Sequence, residues 1–70
     1  MIQAGANVNV ANSGGATPLH FASQEGHFEI VKALARAGAN VGLKKNNGET
    51  AEDVARRNNH QDIANFLSNL

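Results

Sequence analysis

The feature that most constrains the fold of this chain is an internal repeat with a period of 33 residues. When the sequence is compared with itself after a shift of 33 positions, eleven of the 37 aligned pairs are identical. A composition this rich in alanine and asparagine would give about three identities by chance. The identities fall at glycines, at threonines that can cap helices, and at apolar positions. A repeat of this length predicts a stack of similar units, each packed against its neighbours.

The segment 13–45 contains a complete copy of the repeat. Thr17 is predicted to cap a helix, and Pro18 suits the first helical position because its missing N–H has no intrahelical partner to lose. We therefore expect a first helix from Pro18 to about Glu25, ended by the glycine that follows it. A second helix is expected to begin at Phe28, where apolar residues recur with helical spacing.

Incomplete copies flank this unit. Residues 1–12 align with the end of the second helix and its exit loop, so they are expected to be the end of a truncated repeat. Residues 46–70 keep the period, with a capping box formed by Thr50 and Asp53. Their substitutions lower the hydrophobicity: Leu19 becomes Glu52, Val31 becomes Ala64 and Ala35 becomes Ser68. Because the last unit of a stack needs a polar outer face, we interpret residues 46–70 as a C-terminal capping repeat.

The same alignment predicts which apolar side chains are buried. In the last helix, one apolar stripe is expected to face the core, made of Ile63, Phe66, Leu67 and Leu70. At the other end of the chain, the truncation is expected to leave the full repeat partly uncovered on its N-terminal flank. The side chains expected to be exposed in part on this flank are Leu19, Phe21, Ile30 and Leu34.

Three stretches of the full repeat carry a family resemblance: Thr17-Pro18-Leu19-His20-Phe21-Ala22, Gly26-His27-Phe28-Glu29-Ile30-Val31-Lys32 and Ala37-Gly38-Ala39-Asn40-Val41. They resemble the signature of the ankyrin repeat. The resemblance covers essentially the whole chain, although the final unit lacks the Pro, Leu and His of the first-helix signature. It implies an all-α helix-turn-helix solenoid with projecting loops, made of about two helix pairs after an N-terminal half-repeat. It also implies that His20 hydrogen-bonds to the backbone and ties neighbouring repeats together.

The resemblance further implies a non-catalytic module that binds another protein. In this family the partner usually meets the loop tips and the exposed side of the first helices. Carried over by position, that surface consists of Ser13, Gly14, Ala16, Gln24 and Glu25 in the full repeat, and of Lys45, Asn46, Asn47, Glu49, Arg57 and Asn58 in the last. Arg57 is the best single candidate for a binding hot spot, because hot spots are enriched in Trp, Tyr and Arg.

Composition argues against several other classes of function. The chain has no cysteine, so it forms no disulfide and no thiolate zinc site. Its six basic and six acidic residues cancel, which argues against a chain adapted as a whole to nucleic acid or anionic lipid. No apolar run approaches membrane-spanning length, and no secretion signal is found. We expect a soluble protein of the cytoplasm or nucleus, without a cofactor.

Catalysis is the first alternative. His20, or the carboxylates of Glu49, Glu52 and Asp53, could in principle support acid–base chemistry. However, Asp53 already has a capping role, and no His-x-x-x-His pair or carboxylate cluster accompanies the three histidines. We therefore expect no enzyme activity and no metal site.

Two other partners remain open. A cationic patch could attract an acidic peptide or nucleic acid through Lys44, Lys45, Arg56 and Arg57. The competing interpretation is a solvated face that nearby carboxylates neutralise in part, and the absence of a neighbouring aromatic side chain argues against base stacking. The uncovered N-terminal flank could also bind a second copy of the chain or further repeats of the same type.

Overall fold

The computed structural model describes residues 9–70, which form four helices and no strand. The helices are α1 (Pro18–Glu25), α2 (Phe28–Arg36), α3 (Ala51–Arg57) and α4 (Gln61–Ser68). The predicted all-α class is confirmed, as are the predicted bounds of α1 and the predicted start of α2. The truncated repeat expected at residues 1–12 lies largely outside the described residues.

Both first helices begin with the same reciprocal cap. The Thr17 hydroxyl accepts from the backbone N–H of His20, and the His20 ring accepts in turn from the Thr17 N–H. In α3 the hydroxyl of Thr50 accepts from the Asp53 N–H at 3.2 Å, and the Asp53 carboxylate accepts from the Thr50 N–H at 3.1 Å. The box at Thr50 and Asp53 is therefore confirmed. His20 does at the start of α1 what Asp53 does 33 residues later, which the sequence pattern alone did not indicate.

Both first helices also end in the same way, with a residue in the left-handed region. Gly26 has a φ of 77°, and the N–H of the next residue, His27, donates to the Ala22 carbonyl at 3.0 Å. Asn59 takes the equivalent position after α3 with a φ of 65°. Asparagine tolerates this conformation better than most residues, so the tight turn between the two helices of each pair is kept.

The core lies between the two helix pairs. Helix α1 packs against both α2 and α3, and α3 packs against α4. The largest fully buried apolar side chains are Leu19, Leu34, Ile63, Val31 and Val54. The expectation that Leu19 and Leu34 would be partly exposed on the N-terminal flank is wrong, because both point into this core. Phe21 and Ile30, by contrast, are about half exposed, at 49% and 47%, as the alignment predicted.

Two predictions about the last unit need correction. Ala64 is fully buried and does not contribute to a polar outer face, since its small side chain lies within the core cluster. Leu70 is 63% exposed and follows the end of α4, so it does not continue the apolar stripe. Ile63 and Leu67 are buried as predicted, and Phe66 packs against the core with its ring edge on to Phe28.

Two irregular loops project from the helices: a first loop at residues 9–17 and a second loop at residues 37–50. Each contains a tight turn closed by a glycine N–H. Gly15 donates to the carbonyl of Asn12 at 2.9 Å, and Gly48 donates to the carbonyl of Lys45 at 2.8 Å. The turn at Asn47 and Gly48 positions the residues of the second loop that belong to the predicted binding surface.

Candidate functional site

His20 connects the two repeats at the base of the loops. Its Nε2 lies 3.1 Å from the carbonyl oxygen of Glu49, which can only accept, so this nitrogen carries the hydrogen. Its Nδ1 is then the acceptor for the N–H of Thr17 at 3.0 Å and for the Thr17 hydroxyl at 2.8 Å. The ring is buried and bonded at both nitrogens. The structural role that the resemblance implied for His20 is therefore confirmed.

Asn46 connects the tips of the two loops. Its backbone N–H donates to the Gly14 carbonyl at 2.9 Å, and its side-chain Nδ2 donates to the Ser13 carbonyl at 2.9 Å. The approach is close because Gly15 has no side chain: a Cβ there would lie 2.8 Å from the backbone nitrogen of Asn46. The loop tips of adjacent repeats are therefore fixed to each other by contacts to the main chain.

His60 makes a third connection between the repeats, at the far end of the first helices. Its Nε2 donates to the backbone carbonyl of Gln24 at 3.0 Å. The ring rests on Gly26, where an added Cβ would lie 2.7 Å from the ring carbon Cε1. The one signal in the sequence for this contact is that histidine recurs after 33 residues, at His27 and His60.

Glu49 is the centre of the charged contacts on the second loop. Its carboxylate accepts two hydrogen bonds from Arg57, from Nε at 2.7 Å and from Nη2 at 3.0 Å. Asn47 Nδ2 donates to the same carboxylate at 3.0 Å, and Lys45 Nζ lies 3.5 Å away. The hydrogen bonds from Arg57 and then Asn47 lower the pKa of Glu49 from 4.5 to about 2. The same bond with Glu49 raises the pKa of Arg57.

The predicted cationic patch is largely neutralised. Lys45 and Arg57 share the carboxylate of Glu49. Arg56 pairs with Glu52 and also lies 3.6 Å from the Asp53 carboxylate. Lys44 forms no ion pair with any residue in the described part of the chain. The four cations are therefore mostly partners of nearby carboxylates and leave little unpaired positive charge for an acidic ligand.

The residues of the predicted partner-binding surface fall into three groups. Seven residues are exposed: Ser13, Gly14, Gln24, Glu25, Asn46, Asn47 and Arg57. Three more are partly buried: Lys45, Glu49 and Asn58. Ala16 is only 8% exposed, so it offers almost no side-chain surface to a partner, and including it in the surface was a mistake. It lies directly before the buried cap of α1, which explains its burial.

Direct contacts bring together only some of these residues. Ser13 and Gly14 meet Asn46, while Lys45, Asn47 and Arg57 meet Glu49. Asn58 turns its Nδ2 back to the carbonyl of Val54 at 2.8 Å, so its amide serves the end of α3. Gln24 and Glu25 lie at the end of α1 and contact each other at 3.4 Å. We call the ten residues other than Ala16 the candidate surface.

The same side chains offer little to catalysis. Among residues 9–70, no group of three or more histidines and carboxylates is placed to hold a metal ion. His20 is committed at both ring nitrogens, and Asp53 caps α3.

None of the helices described combines the length and the hydrophobicity that crossing a membrane requires.

Comparison with known proteins agrees with this geometry. No curated protein matches the chain. A family model described as ankyrin repeats, in three copies, matches residues 1–70. Ankyrin repeats are generally protein–protein interaction modules and are typically non-catalytic. Since the match spans the full length and the four helices form paired, capped units at a 33-residue period, the chain belongs to the ankyrin repeat family.

Proposed function

We propose that this chain is a non-catalytic module that binds a partner protein through the candidate surface. The observation that carries the proposal is that the loop tips are fixed by bonds to the main chain while most of their side chains stay exposed. Asn46 holds the two loops together through the carbonyls of Ser13 and Gly14. Because the loops are already ordered, a partner loses less conformational entropy when it binds them.

The chemistry of the candidate surface favours a polar partner segment. Arg57 uses Nε and Nη2 for Glu49, and its Nη1 has no partner among the residues described. The side chain is 54% exposed, so this third nitrogen can donate to a carbonyl or carboxylate of the partner. Since Glu49 holds the guanidinium in one orientation, the donor is positioned before binding. This geometry supports Arg57 as the strongest contact.

A negatively charged partner that binds mainly to the cations of this chain is less well supported. An acidic peptide or nucleic acid would have to compete with Glu49 for Lys45 and Arg57, and with Glu52 for Arg56. Exposed ion pairs are individually weak. Even so, binding would gain only the difference in interaction free energy between the ligand's own ion pairs and those that it displaces.

The proposal is tested with variants that leave the fold intact. After a partner is found by crosslinking and mass spectrometry, its affinity is measured by calorimetry for Arg57→Ala and Gln24→Ala. Matched controls are Arg36→Ala and Gln61→Ala, which remove the same side chains from exposed positions on the second helices. We expect Arg57→Ala to weaken binding by about tenfold or more. If the controls weaken binding and Arg57→Ala does not, the second helices carry the site and the proposal fails.

A further inference from the structure

The turn at the tip of the second loop contains the dipeptide Asn47-Gly48, whose two residues can react with each other. Of the ten asparagines in the sequence, Asn47 is the only one followed by glycine. The backbone nitrogen that follows any asparagine can attack the side-chain amide carbon, because the product is a five-membered ring. A side chain on the following residue hinders this attack, and glycine has none. Asn47 is therefore the asparagine whose amide is most open to attack by its own main chain.

The surroundings of this turn leave the reacting peptide accessible. Asn47 and Gly48 are both exposed, so water reaches the amide. Nothing lies within 4 Å of the point where a Cβ on Gly48 would be placed, so no other part of the described chain shields it. The Gly48 N–H donates to the Lys45 carbonyl at 2.8 Å, and this bond must open before the nitrogen attacks. Exposed loops open at little cost in free energy, because no buried side chain has to move.

A hydrogen bond within the turn favours the attack. The Oδ1 atom of Asn47 accepts from the backbone N–H of Glu49 at 3.0 Å. When the amide carbon is attacked, negative charge develops on this same oxygen, and a donor that is already in place stabilises it. The bond also polarises the amide carbonyl before the reaction, which makes its carbon a better electrophile. The folded turn therefore supports the reaction electrostatically.

We propose that Asn47 is a site of spontaneous deamidation, which adds a negative charge to the candidate surface. The Gly48 nitrogen forms a bond to Cγ of Asn47 and gives up its proton, the Cγ–Nδ2 bond breaks, and ammonia leaves with that proton. Water then hydrolyses the cyclic imide at one of its two carbonyl carbons, which yields aspartate or isoaspartate at this position. The reaction requires no oxidant or reductant. This inference does not depend on the proposed partner-binding function.

The product changes the contacts at the centre of the candidate surface. The Asn47 Nδ2 donor, 3.0 Å from the Glu49 carboxylate, is replaced by a negatively charged oxygen. Two carboxylates then lie side by side near Lys45 and Arg57, and a chain whose charges balance gains one negative charge. Isoaspartate also inserts a methylene group into the main chain, which disrupts the turn that the Gly48 N–H closes.

Asn40 provides an internal control in the same chain. Its Oδ1 accepts from the Gly42 N–H at 3.0 Å, as that of Asn47 does from Glu49, but the residue that follows it is the β-branched Val41. The folded chain is incubated at neutral pH and digested. Mass spectrometry then detects the conversion of amide to acid, and reversed-phase chromatography separates aspartyl from isoaspartyl peptides.

We expect Asn47 to convert faster than Asn40 by about tenfold or more, with isoaspartate among the products. A parallel incubation in urea separates the contribution of the folded turn from that of the dipeptide. The proposal is overturned if Asn47 converts no faster than Asn40, or if it converts only in urea.

Two variants test the consequence for the candidate surface. Asn47→Asp imitates the aspartate product, and Asn40→Asp is the matched control because the Asn40 side chain belongs to the turn at Gly42. The pKa of Glu49, which hydrogen bonds from Arg57 and then Asn47 lower to about 2, is measured by NMR across a pH titration. We expect Asn47→Asp to raise this pKa, since a like charge replaces a donor, and Asn40→Asp to leave it unchanged. An unchanged pKa in Asn47→Asp would overturn the proposed change at the surface.

Discussion

Substitution of Gly26 by alanine should destabilise the fold through two separable effects. The φ of 77° at Gly26 costs an alanine about 1 to 2 kcal/mol, because its Cβ approaches the neighbouring carbonyl oxygen in the left-handed region. The added Cβ would also lie 2.7 Å from Cε1 of His60. The ring must then turn away and lose its bond to the Gln24 carbonyl, which contributes about 0.5 to 1.5 kcal/mol. The total expected loss is about 1.5 to 3.5 kcal/mol.

Gly38 provides the matched control for this substitution. Its φ is 91°, and nothing lies within 4 Å of a Cβ added there, so Gly38→Ala reports the backbone cost alone. Urea unfolding followed by circular dichroism at the helix band measures both variants; the chain has no tryptophan or tyrosine for fluorescence. We expect Gly26→Ala to lower the free energy of unfolding by about 1 kcal/mol more than Gly38→Ala.

A double-mutant cycle with His60→Ala isolates the steric part. Once the ring is removed, Gly26→Ala should cost no more than Gly38→Ala, which gives a coupling of about 1 kcal/mol between positions 26 and 60. The reasoning is refuted if Gly26→Ala and Gly38→Ala are equally destabilising in the original chain. It is refuted as well if the excess cost at Gly26 persists without the His60 ring.

Three further predictions concern single positions. Thr50→Ala should lower the free energy of unfolding by about 1 kcal/mol through loss of the cap of α3. Leu67→Ala should lower it by about 2 to 5 kcal/mol because Leu67 is buried. A thermal melt in which the two variants are equally destabilised would contradict the packing described. Ser23→Ala should leave stability unchanged or raise it by up to about 1 kcal/mol, since the Ser23 hydroxyl is buried without a partner among residues 9–70; a clear loss in urea unfolding would show that the hydroxyl is bonded. Because folding depresses the pKa of Glu49 from 4.5 to about 2, its contribution to stability is present above pH 4.5 and is lost as the pH falls toward 2. The difference between wild type and Glu49→Gln in urea midpoint should therefore shrink over that interval. Added salt should also reduce this difference at pH 6, because the Arg57 side chain of the pair is exposed. A difference that does not change with pH would count against the ion pair.

Local signals in the sequence predicted the helices well. Thr17 with Pro18, and Thr50 with Asp53, determine where α1 and α3 begin, because caps act through residues two or three positions away. Gly26 fixes the end of α1 for an equally local reason. These features depend on contacts within a turn of the chain, so no knowledge of the packing was needed.

Burial and contacts between repeats were predicted less well, because they depend on how one helix pair lies on the next. Helical spacing placed Leu70 on the apolar stripe, but α4 ends before it and the side chain is exposed. Ala64 was assigned to the outer face because it is less hydrophobic than Val31, although its small side chain lies buried within the core. The bond between His60 and Gln24 spans 36 positions and follows from no local pattern.

The hydrogen bonds between the two repeats have an asymmetry with a consequence for sequence variation. Their donors include the side chains of His20, Asn46 and His60, whereas the acceptors at Glu49, Ser13 and Gln24 are main-chain carbonyls. Any amino acid supplies a carbonyl, so the side chains at the three acceptor positions can change without breaking a bond between repeats. All three belong to the candidate surface. A library randomised at Ser13 and Gln24 should therefore keep the melting temperature of the parent while it diversifies the chemistry offered to partners, whereas a change at Glu49 also removes its ion pair with Arg57.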